Sequence, residues 1–259
     1  MVVGCIIQAR MGSTRLPGKV LMNLDAKNPI LFYVINQIQN CKLIDEMVIA
    51  TTTLGEDDKI DEYAKKMGIT CFRGSTKDVL DRYYQCAKKF SFSKIVRITA
   101  DCPLIDPTLV DQVVGKFKSE ICDYATNFIP RTFPQGTDTE VFSFTALEKA
   151  WKNAKKPSER EHVTPFIYNN KDKFRISTII YSKNISNLKW TIDRLEDLKL
   201  VKAIISKIHK RPILMNDILK LISKEPDLIN INKNYIMNEG YLNSLNEDDL
   251  FKSKNSVGY

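Results

Sequence analysis

The first 120 residues alternate between short apolar runs and longer segments whose apolar residues recur at helical spacing. Residues 2–7 are apolar and rich in β-branched side chains, which is typical of a strand buried on both faces of a parallel sheet. Residues 30–40 instead place Phe32, Ile35 and Ile38 on one face, as an amphipathic helix does. Alternation of strands with helices predicts an α/β protein with parallel strands and right-handed crossovers.

The predicted elements of this half follow one order and form a three-layer, Rossmann-like unit. Asp78 and Asp106 precede two of its helices, where a carboxylate is stabilised by the free backbone N–H groups and the positive end of the helix dipole. Strands are predicted at residues 2–7, 47–51, 70–72 and 95–99, and helices at residues 30–40, 57–67 and 78–90, with a further helix that begins at Pro107.

A loop rich in cations follows the first strand. Residues 8–19 read QARMGSTRLPGK and contain Arg10, Arg15 and Lys19. The loop leaves the sheet at its carboxyl edge, where open α/β proteins bind ligands, and its glycines let backbone N–H groups approach phosphate oxygens. It is not a Walker A loop, because Val20 stands where that motif has Ser or Thr, and no G-x-G-x-x-G follows any strand. The loop predicts a polyphosphate site.

Residues 9–19, ARMGSTRLPGK, resemble the signature loop of the sugar-activating nucleotidyltransferases, and within them that of the CMP-Kdo synthetases. The resemblance implies a three-layer Rossmann-like nucleotidyltransferase fold, similar to GT-A, with a mixed, mostly parallel sheet. It also implies CTP as the nucleotide, and catalytic roles for Arg10 and Lys19. The nucleotide-binding residues that it implies in this region are Gln8, Ala9, Arg10, Gly12, Ser13, Arg15 and Lys19.

Two carboxylates are the candidate metal ligands of the site and, through the metal, candidate catalytic residues. Asp101 directly follows the predicted fourth strand and suits Mg²⁺, which takes one or two protein carboxylates together with phosphate oxygens and water. A helix N-cap is the other role for such a residue, but Asp106 fills that position. The Asp-x-Pro sequence resembles the metal site of the cytidylyltransferases. Asp193 resembles their second metal ligand, with an N-cap of a helix at residues 194–208 as the alternative.

Arg73, Gly74 and Ser75 follow the third predicted strand. Relatives in the resembled family read the base at this loop, so the resemblance implies that these residues bind cytosine. A plain βα turn is the alternative interpretation, since Gly-Ser turns are common.

Two later clusters are candidates for acceptor binding, and both resemble the spore-coat polysaccharide cytidylyltransferases more than the CMP-Kdo synthetases. Asp138 and Glu140 point to the same side of a predicted strand, where they could receive sugar hydroxyls or an ammonium group. A solvent-facing strand side is the alternative. A helix that begins at Pro157, with Ser158 as its cap, places a second cluster near an anionic acceptor: Arg160, Glu161 and His162.

Together the residues and the resemblance predict a Mg²⁺-dependent cytidylyltransferase. It would transfer CMP from CTP to an acidic sugar, a sugar or polyol phosphate or a phosphonate, and release pyrophosphate, in the synthesis of surface polysaccharide or glycoconjugate precursors. A GT-A glycosyltransferase is one alternative, although such enzymes normally carry Asp-x-Asp where this chain has Asp101-Cys102-Pro103. A non-catalytic nucleotide-sugar-binding protein is another, which could spare the metal pair.

Composition narrows the partners and the location. The net charge is +8, and residues 149–224 hold 18 lysines and arginines against 7 acidic residues. These cations alternate with apolar residues at helical spacing and form no aromatic-basic ladder, so no nucleic-acid partner is expected. The six cysteines include no C-x-x-C pair and are expected to be small apolar residues in a reducing compartment. No run approaches the roughly 20 apolar residues of a membrane span, and no signal peptide is recognisable, so we expect a cytoplasmic protein.

The length of 259 residues suits one α/β domain with an appendage. Residues 1–210 are predicted to form the nucleotidyltransferase domain, in which residues 122–185 bind the acceptor and, by analogy with relatives, form a homodimer. Residues 211–259 are predicted to be a helical extension, with a helix at residues 216–224. The asparagine-rich tail at residues 230–259 is expected to be partly disordered or to act as a docking arm.

Overall fold

A mixed seven-stranded sheet organises residues 1–256, the part of the chain that the computed structural model describes. Its strands are β1 (Val2–Gln8), β2 (Glu46–Thr52), β3 (Thr70–Gly74), β4 (Phe92–Thr99), β5 (Tyr124–Thr126), β6 (Glu140–Ser143) and β7 (Ile176–Thr178). In space they follow the order β3-β2-β1-β4-β6-β5-β7. Only β6 runs antiparallel to its described neighbours, so the sheet is mixed and mostly parallel, which confirms the predicted fold class.

Helices cover both faces of the sheet and extend beyond its edge. Within the described residues they are α1 (Ile30–Ile38), α2 (Asp58–Lys66), α3 (Val79–Lys89), α4 (Pro107–Ser119), α5 (Phe144–Asn153), α6 (Pro157–His162), α7 (Pro165–Tyr168), α8 (Leu195–Lys207), α9 (Met215–Lys224) and α10 (Glu239–Ser256).

The strand β1 lies at the centre of the protein, and its alternate side chains enter two different cores. Val3, Cys5 and Ile7 pack with residues of α1, α2 and α4 on one face. Ile6 packs with residues of α3 and α5 on the other face. Because both faces of β1 are covered, its sequence is a continuous apolar run rather than an alternating one. This arrangement is the predicted three-layer, Rossmann-like unit.

The predicted boundaries of the first half are close to the observed ones, and the differences lie downstream. The predicted strand around Glu140 is only four residues long. The helix α6 has Lys156 rather than Ser158 as its N-cap, so the expectation for Ser158 was wrong. The tail forms the helix α10, which packs against α6 of the same chain. Residues 257–259 of that tail lie outside the described residues.

The cysteines are all free, and Cys5, Cys86 and Cys102 are buried, as expected for small apolar side chains. Among residues 1–256, no helix is both long enough and apolar enough to cross a membrane.

Candidate active site

A cavity of about 420 Å³ opens at the carboxyl ends of β1 and β4. Gln8, Thr99 and Asp101 line its floor, and its walls come from the loop at residues 9–19, from α6 and from α10. This is the edge of the sheet at which the sequence predicts ligand binding. Of the predicted site residues, the cavity brings together Gln8, Arg10, Ser13, Arg15, Lys19, Asp101, Glu161, His162 and Asp193.

Backbone hydrogen bonds set the shape of the loop at residues 9–19. The Met11 carbonyl accepts from the N–H groups of Ser13 and Gly18, both at 2.8 Å. Gly18 has a φ of 69°, a left-handed conformation that glycine adopts without steric cost. The N–H of Met11 donates to Asp57 Oδ1 at 2.7 Å, and Asp57 is fully buried. Sequence reasoning missed Asp57, because no motif distinguishes it from other helix-flanking acids.

Lys19 links the two candidate metal ligands. Its Nζ donates to Asp101 Oδ2 at 2.8 Å and to Asp193 Oδ1 at 3.1 Å, and the side chain is only 9% exposed. Burial lowers the pKa of Lys19, but the two carboxylates outweigh burial and raise it. Burial raises the pKa of Asp101, whereas the charge and hydrogen bond of Lys19 lower it to about 2. Lys19 and Asp101 are therefore both ionised at neutral pH.

Asp193 has no capping role, because the carboxylate of Asp197, in the first turn of α8, binds the backbone at the start of that helix. Asp197 Oδ2 accepts from the backbone N–H groups of Asp193 and Arg194, both at 3.0 Å. The structure thus excludes the alternative in which Asp193 caps α8. Its own carboxylate accepts from Arg15 Nη2 at 2.6 Å, and Lys189 Nζ lies 3.2 Å from its other oxygen.

Asp101 is likewise free of a capping role. Asp106 Oδ1 accepts from the N–H groups of Thr108 at 2.7 Å and Leu109 at 3.3 Å, which confirms the predicted cap of α4. The hydroxyl of Thr99 donates to Asp101 Oδ1 at 2.6 Å and orients the carboxylate toward the cavity floor.

The donor chemistry of Asp101 and Asp193 fits Mg²⁺. No group of three or more potential metal ligands occurs among the described residues, but Mg²⁺ needs only one or two protein carboxylates when phosphate oxygens and water complete its shell. The Lys19 ammonium already contacts both carboxylates, so a cation between them is stabilised by both.

The helices α6 and α10 form the wall opposite the loop. Arg10 Nη2 lies 3.6 Å from Glu161 Oε1, and His162 Nε2 lies 3.0 Å from Ser244 Oγ of α10. Burial lowers the pKa of His162 to about 4; Glu161 opposes this shift, and the cations Arg97 and Arg10 add to it. The imidazole is therefore neutral at pH 7.

The structure keeps Asp138 and Glu140 out of the cavity, contrary to the acceptor prediction. Glu140 is 2% exposed, forms an ion pair with Arg97 and accepts from Tyr124 Oη at 2.8 Å. Its carboxylate is thus an internal partner that holds Arg97 in place. Asp138 forms a two-bond ion pair with Arg131 and is not among the residues that line the cavity.

Arg160 also points elsewhere than predicted. Its Nε donates to Asp78 Oδ2 at 2.9 Å and its Nη1 to the Trp151 carbonyl at 2.7 Å, so it ties α6 to the start of α3. Ser158 is turned toward α10, where its hydroxyl donates to Asp248 Oδ2 at 2.6 Å. Glu161 and His162 are the members of this cluster that face the cavity.

The end of β3, which holds Arg73 and Gly74, and the loop that follows with Ser75 lie apart from the cavity. β2 separates β3 from β1, so Arg73, Gly74 and Ser75 stand about 10 Å from β1 across the sheet. Arg73 pairs with Asp58, and the Ser75 carbonyl accepts from Arg82 Nε at 2.9 Å. Base binding by this loop stays a prediction.

Several cavity residues escaped sequence reasoning. Arg97 and Thr99 precede Asp101 at spacings of four and two, which places them on one side of β4, so alternation along the strand could have identified them. The residues from α10 carried no such signal, because its sequence has weak periodicity. They are Gly240, Asn243, Ser244 and Glu247.

Known proteins resemble this chain along most of its length. The family model described as Cytidylyltransferase matches residues 4–229. The spore coat polysaccharide biosynthesis protein SpsF of Bacillus subtilis is 33% identical over 230 residues, which cover 86% of this chain and 94% of SpsF. An uncharacterised protein of Methanocaldococcus jannaschii is 38% identical over 231 residues, which cover 88% of this chain and 93% of that protein.

A solved structure is similar in both sequence and fold. The structure of a cytidylyltransferase from Leptospira borgpetersenii serovar Hardjo-bovis matches with a TM-score of 0.85 at 37% identity, and the match covers 92% of this chain and 99% of that one. The helix α10 begins ten residues beyond the end of the family match at residue 229.

Proposed function

This chain belongs to the cytidylyltransferase family, and from that premise we propose that it transfers CMP from CTP to a small anionic acceptor with release of pyrophosphate. The observation that carries the proposal is the Lys19 ammonium bound between Asp101 and Asp193 at the carboxyl edge of the sheet. Arg10 and Arg15 line the same cavity, so three cations are available to a triphosphate. We further propose that the product serves the synthesis of surface polysaccharides or glycoconjugates.

In the proposed reaction an acceptor oxygen attacks the α-phosphorus of CTP. A bond forms between that oxygen and the α-phosphorus, the bond to the oxygen that bridges the α- and β-phosphates breaks, and pyrophosphate leaves with the electron pair. A phosphate or phosphonate oxygen attacks without a proton to lose, whereas a sugar hydroxyl gives its proton to water. No covalent enzyme intermediate is needed, so catalysis rests on positioning and electrostatics.

The cations of the loop act on the triphosphate in this proposal. Arg15 and Lys19 are both ion-paired with Asp193, so CTP exchanges one set of ion pairs for another instead of meeting unpaired charges. The four-carbon stem of Lys19 lets its ammonium move from the carboxylates to a phosphate oxygen. The side chain of Arg10 is more exposed than that of Lys19 and extends from the loop toward Glu161 of α6.

We propose that Asp101 and Asp193 hold Mg²⁺. When bound, the ion stabilises charge on the α-phosphate oxygens as a Lewis acid. The hydroxyl of Thr99 keeps one oxygen of Asp101 engaged and so restricts the rotation of the carboxylate. Lys189, which is 4% exposed, pairs with Oδ2 of Asp193 and so restricts the rotation of that carboxylate as well.

An assay of pyrophosphate release tests the proposal. The protein is incubated with CTP and Mg²⁺ and with one compound of each acceptor class: acidic sugar, sugar phosphate, polyol phosphate and phosphonate. We expect release that requires both CTP and one class of acceptor, and that is slower with ATP, GTP or UTP. Transfer of sugar from a nucleotide sugar would instead indicate a glycosyltransferase. CTP binding without turnover of any acceptor would indicate a non-catalytic protein.

A further inference from the structure

One face of α10 lines the cavity although the helix lies beyond the family match. Gly240, Asn243, Ser244 and Glu247 follow the spacing of a single helical face, and all four line the cavity. The helix is anchored there, because Ser244 Oγ donates to Glu161 Oε2 at 2.7 Å. The buried Asp248 secures it further toward the C-terminus by accepting from the backbone and hydroxyl of Ser158.

The same helix runs from the phosphate end of the cavity to the opposite end. At its first residue, Glu239 accepts from Arg15 at 2.8 Å and from Arg194 at 2.7 Å. Glu247 lies eight residues later, about 12 Å further along the helix axis. Asn243 and Glu247 therefore face the part of the cavity beyond the cations of the loop, beside Glu161.

The polar groups in this part of the cavity are available to a ligand. No hydrogen bond or ion pair with another described side chain occupies Asn243 or Glu247. Arg97 lines the same cavity; Glu140 engages one side of its guanidinium, and its Nε is buried with no partner among the described residues. This end thus combines the Arg97 cation with the amide of Asn243 and the carboxylates of Glu161 and Glu247, which accept hydrogen bonds from hydroxyls, so the lining suits a ligand that carries an anionic group and several hydroxyls.

Building on the proposed function, we propose that α10 is the wall of the cavity that selects the acceptor. In this proposal Asn243 and Glu247 hydrogen-bond the hydroxyl groups of a small polyhydroxylated anion, and Arg97 faces its anionic group. The loop at residues 9–19 lies inside the family match, whereas α10 lies outside it. The loop that binds the nucleotide in this proposal therefore lies inside the family match, as do Arg97 and Glu161, whereas Asn243 and Glu247 lie beyond its end.

Three variants test the wall. Asn243→Ala and Glu247→Ala remove the proposed contacts, and Asn246→Ala is the matched control, because Asn246 is exposed on α10 and does not line the cavity. The acceptor probes are 3-deoxy-manno-octulosonate, glucose 1-phosphate and glycerol 3-phosphate, which carry hydroxyls, and phosphonoacetate, which carries none. Pyrophosphate release gives the KM for each acceptor, and titration with CTP alone gives the nucleotide affinity.

We expect each of the two cavity variants to raise the KM for the hydroxylated acceptor by roughly threefold to tenfold, the effect of one lost hydrogen bond. CTP affinity and the control variant should match the wild type. The proposed role of α10 would be overturned if the two cavity variants left the KM for the acceptor unchanged or weakened CTP binding equally. It would also be overturned if the wild type used phosphonoacetate alone. Wild-type protein that binds CTP but turns over none of the probes would overturn the proposed function, and the wall with it.

Discussion

The two walls of the cavity are built in different ways. The nucleotide wall consists of the loop at residues 9–19 with Asp101 and Asp193, and the acceptor wall consists of α6 and α10. On the nucleotide wall, the side chains of Lys19 and Asp193 are 9% and 12% exposed and form short ion pairs. Where the loop meets the acceptor wall, the side chains of Arg10 and Glu161 are 42% and 39% exposed and lie 3.6 Å apart. Removing one partner of a buried pair costs several kcal/mol, whereas exposed pairs contribute about 1 kcal/mol or less. Substitutions in the ion pairs of the nucleotide wall should therefore cost more stability than substitutions in those of the acceptor wall.

The walls also differ in how the chain assembles them. The cations of the nucleotide wall come from one continuous loop that leaves β1. The acceptor wall instead comes from two separate helices, α6 and α10, which are joined by contacts such as that of His162 with Ser244. Variants of the two walls should accordingly affect different steps of the reaction.

Asp101→Asn should have the largest effect. The substitution keeps the shape of the side chain and removes the charge that pairs with Lys19 and is proposed to hold Mg²⁺. We expect kcat to fall by at least about 100-fold while the fold is retained. Pyrophosphate release measures kcat, and circular dichroism checks the fold. Asp172→Asn, at an exposed position away from the cavity, is the control. Turnover near the wild-type value in Mg²⁺ would contradict the assignment of Asp101.

Lys19→Ala tests the nucleotide wall through binding. The variant lacks the ammonium that contacts Asp101 and Asp193, so the triphosphate meets two carboxylates with less compensation. We expect the Kd for CTP to rise by roughly 10-fold to 100-fold, the range for hydrogen bonds to charged groups. Calorimetric titration measures it, with the exposed Lys27→Ala as the control. Wild-type affinity in the Lys19 variant would show that the loop does not bind the triphosphate.

The same contrast explains which parts of the site could be predicted. A residue that directly follows a buried strand of a parallel sheet must lie at the ligand-binding edge, so Asp101 is predictable from local sequence. Alternation along a strand assigns a residue to one side but does not tell what covers that side. Glu140 was assigned to the acceptor for this reason, yet it pairs in register with Arg97 across β4 and β6.

The helix α10 could not be predicted from the sequence, for a different physical reason. A helix that packs on an apolar core carries an apolar stripe, which sequence analysis detects. The helix α10 instead faces a polar cavity and joins α6 through side-chain hydrogen bonds of Ser244 and Asp248. Its weak periodicity therefore resembles that of a disordered segment, although the helix spans 18 residues.

Glu239→Gln tests the point where the walls meet. Its carboxylate accepts from Arg15 and Arg194, and hydrogen bonding by Arg194 is the main cause that lowers the pKa of Glu239. A triphosphate must displace this carboxylate to reach Arg15, so the variant should bind CTP more tightly, by roughly twofold to fivefold. Glu225→Gln, which breaks an exposed pair with Lys207, is the control. Weaker CTP binding in the Glu239 variant would mean that Glu239 supports the site rather than competing for it.

The pH dependence of stability should also distinguish the two walls, and its expected effect is the smallest of these tests. Burial holds the pKa of His162 near 4, below its ordinary value of 6.5. Between these values the unfolded chain binds a proton that the folded chain does not, so the free energy of unfolding falls as the pH is lowered from 6.5 to 4. Because 27% of the side chain stays exposed, we expect a contribution of about 1 kcal/mol or less.

Urea unfolding at several pH values measures this contribution as the difference between wild type and His162→Gln. The exposed His209→Gln is the control and should keep the wild-type slope. Lys19 and Thr99 keep the pKa of Asp101 near 2, so Asp101 keeps its ion pair with Lys19 at a pH where the buried His162 begins to take up a proton at a cost to the folded state. At pH 4.5 hydrogen exchange should therefore rise in α10 before it rises at the end of β4. Equal protection of both segments at that pH would show that the walls are held equally firmly.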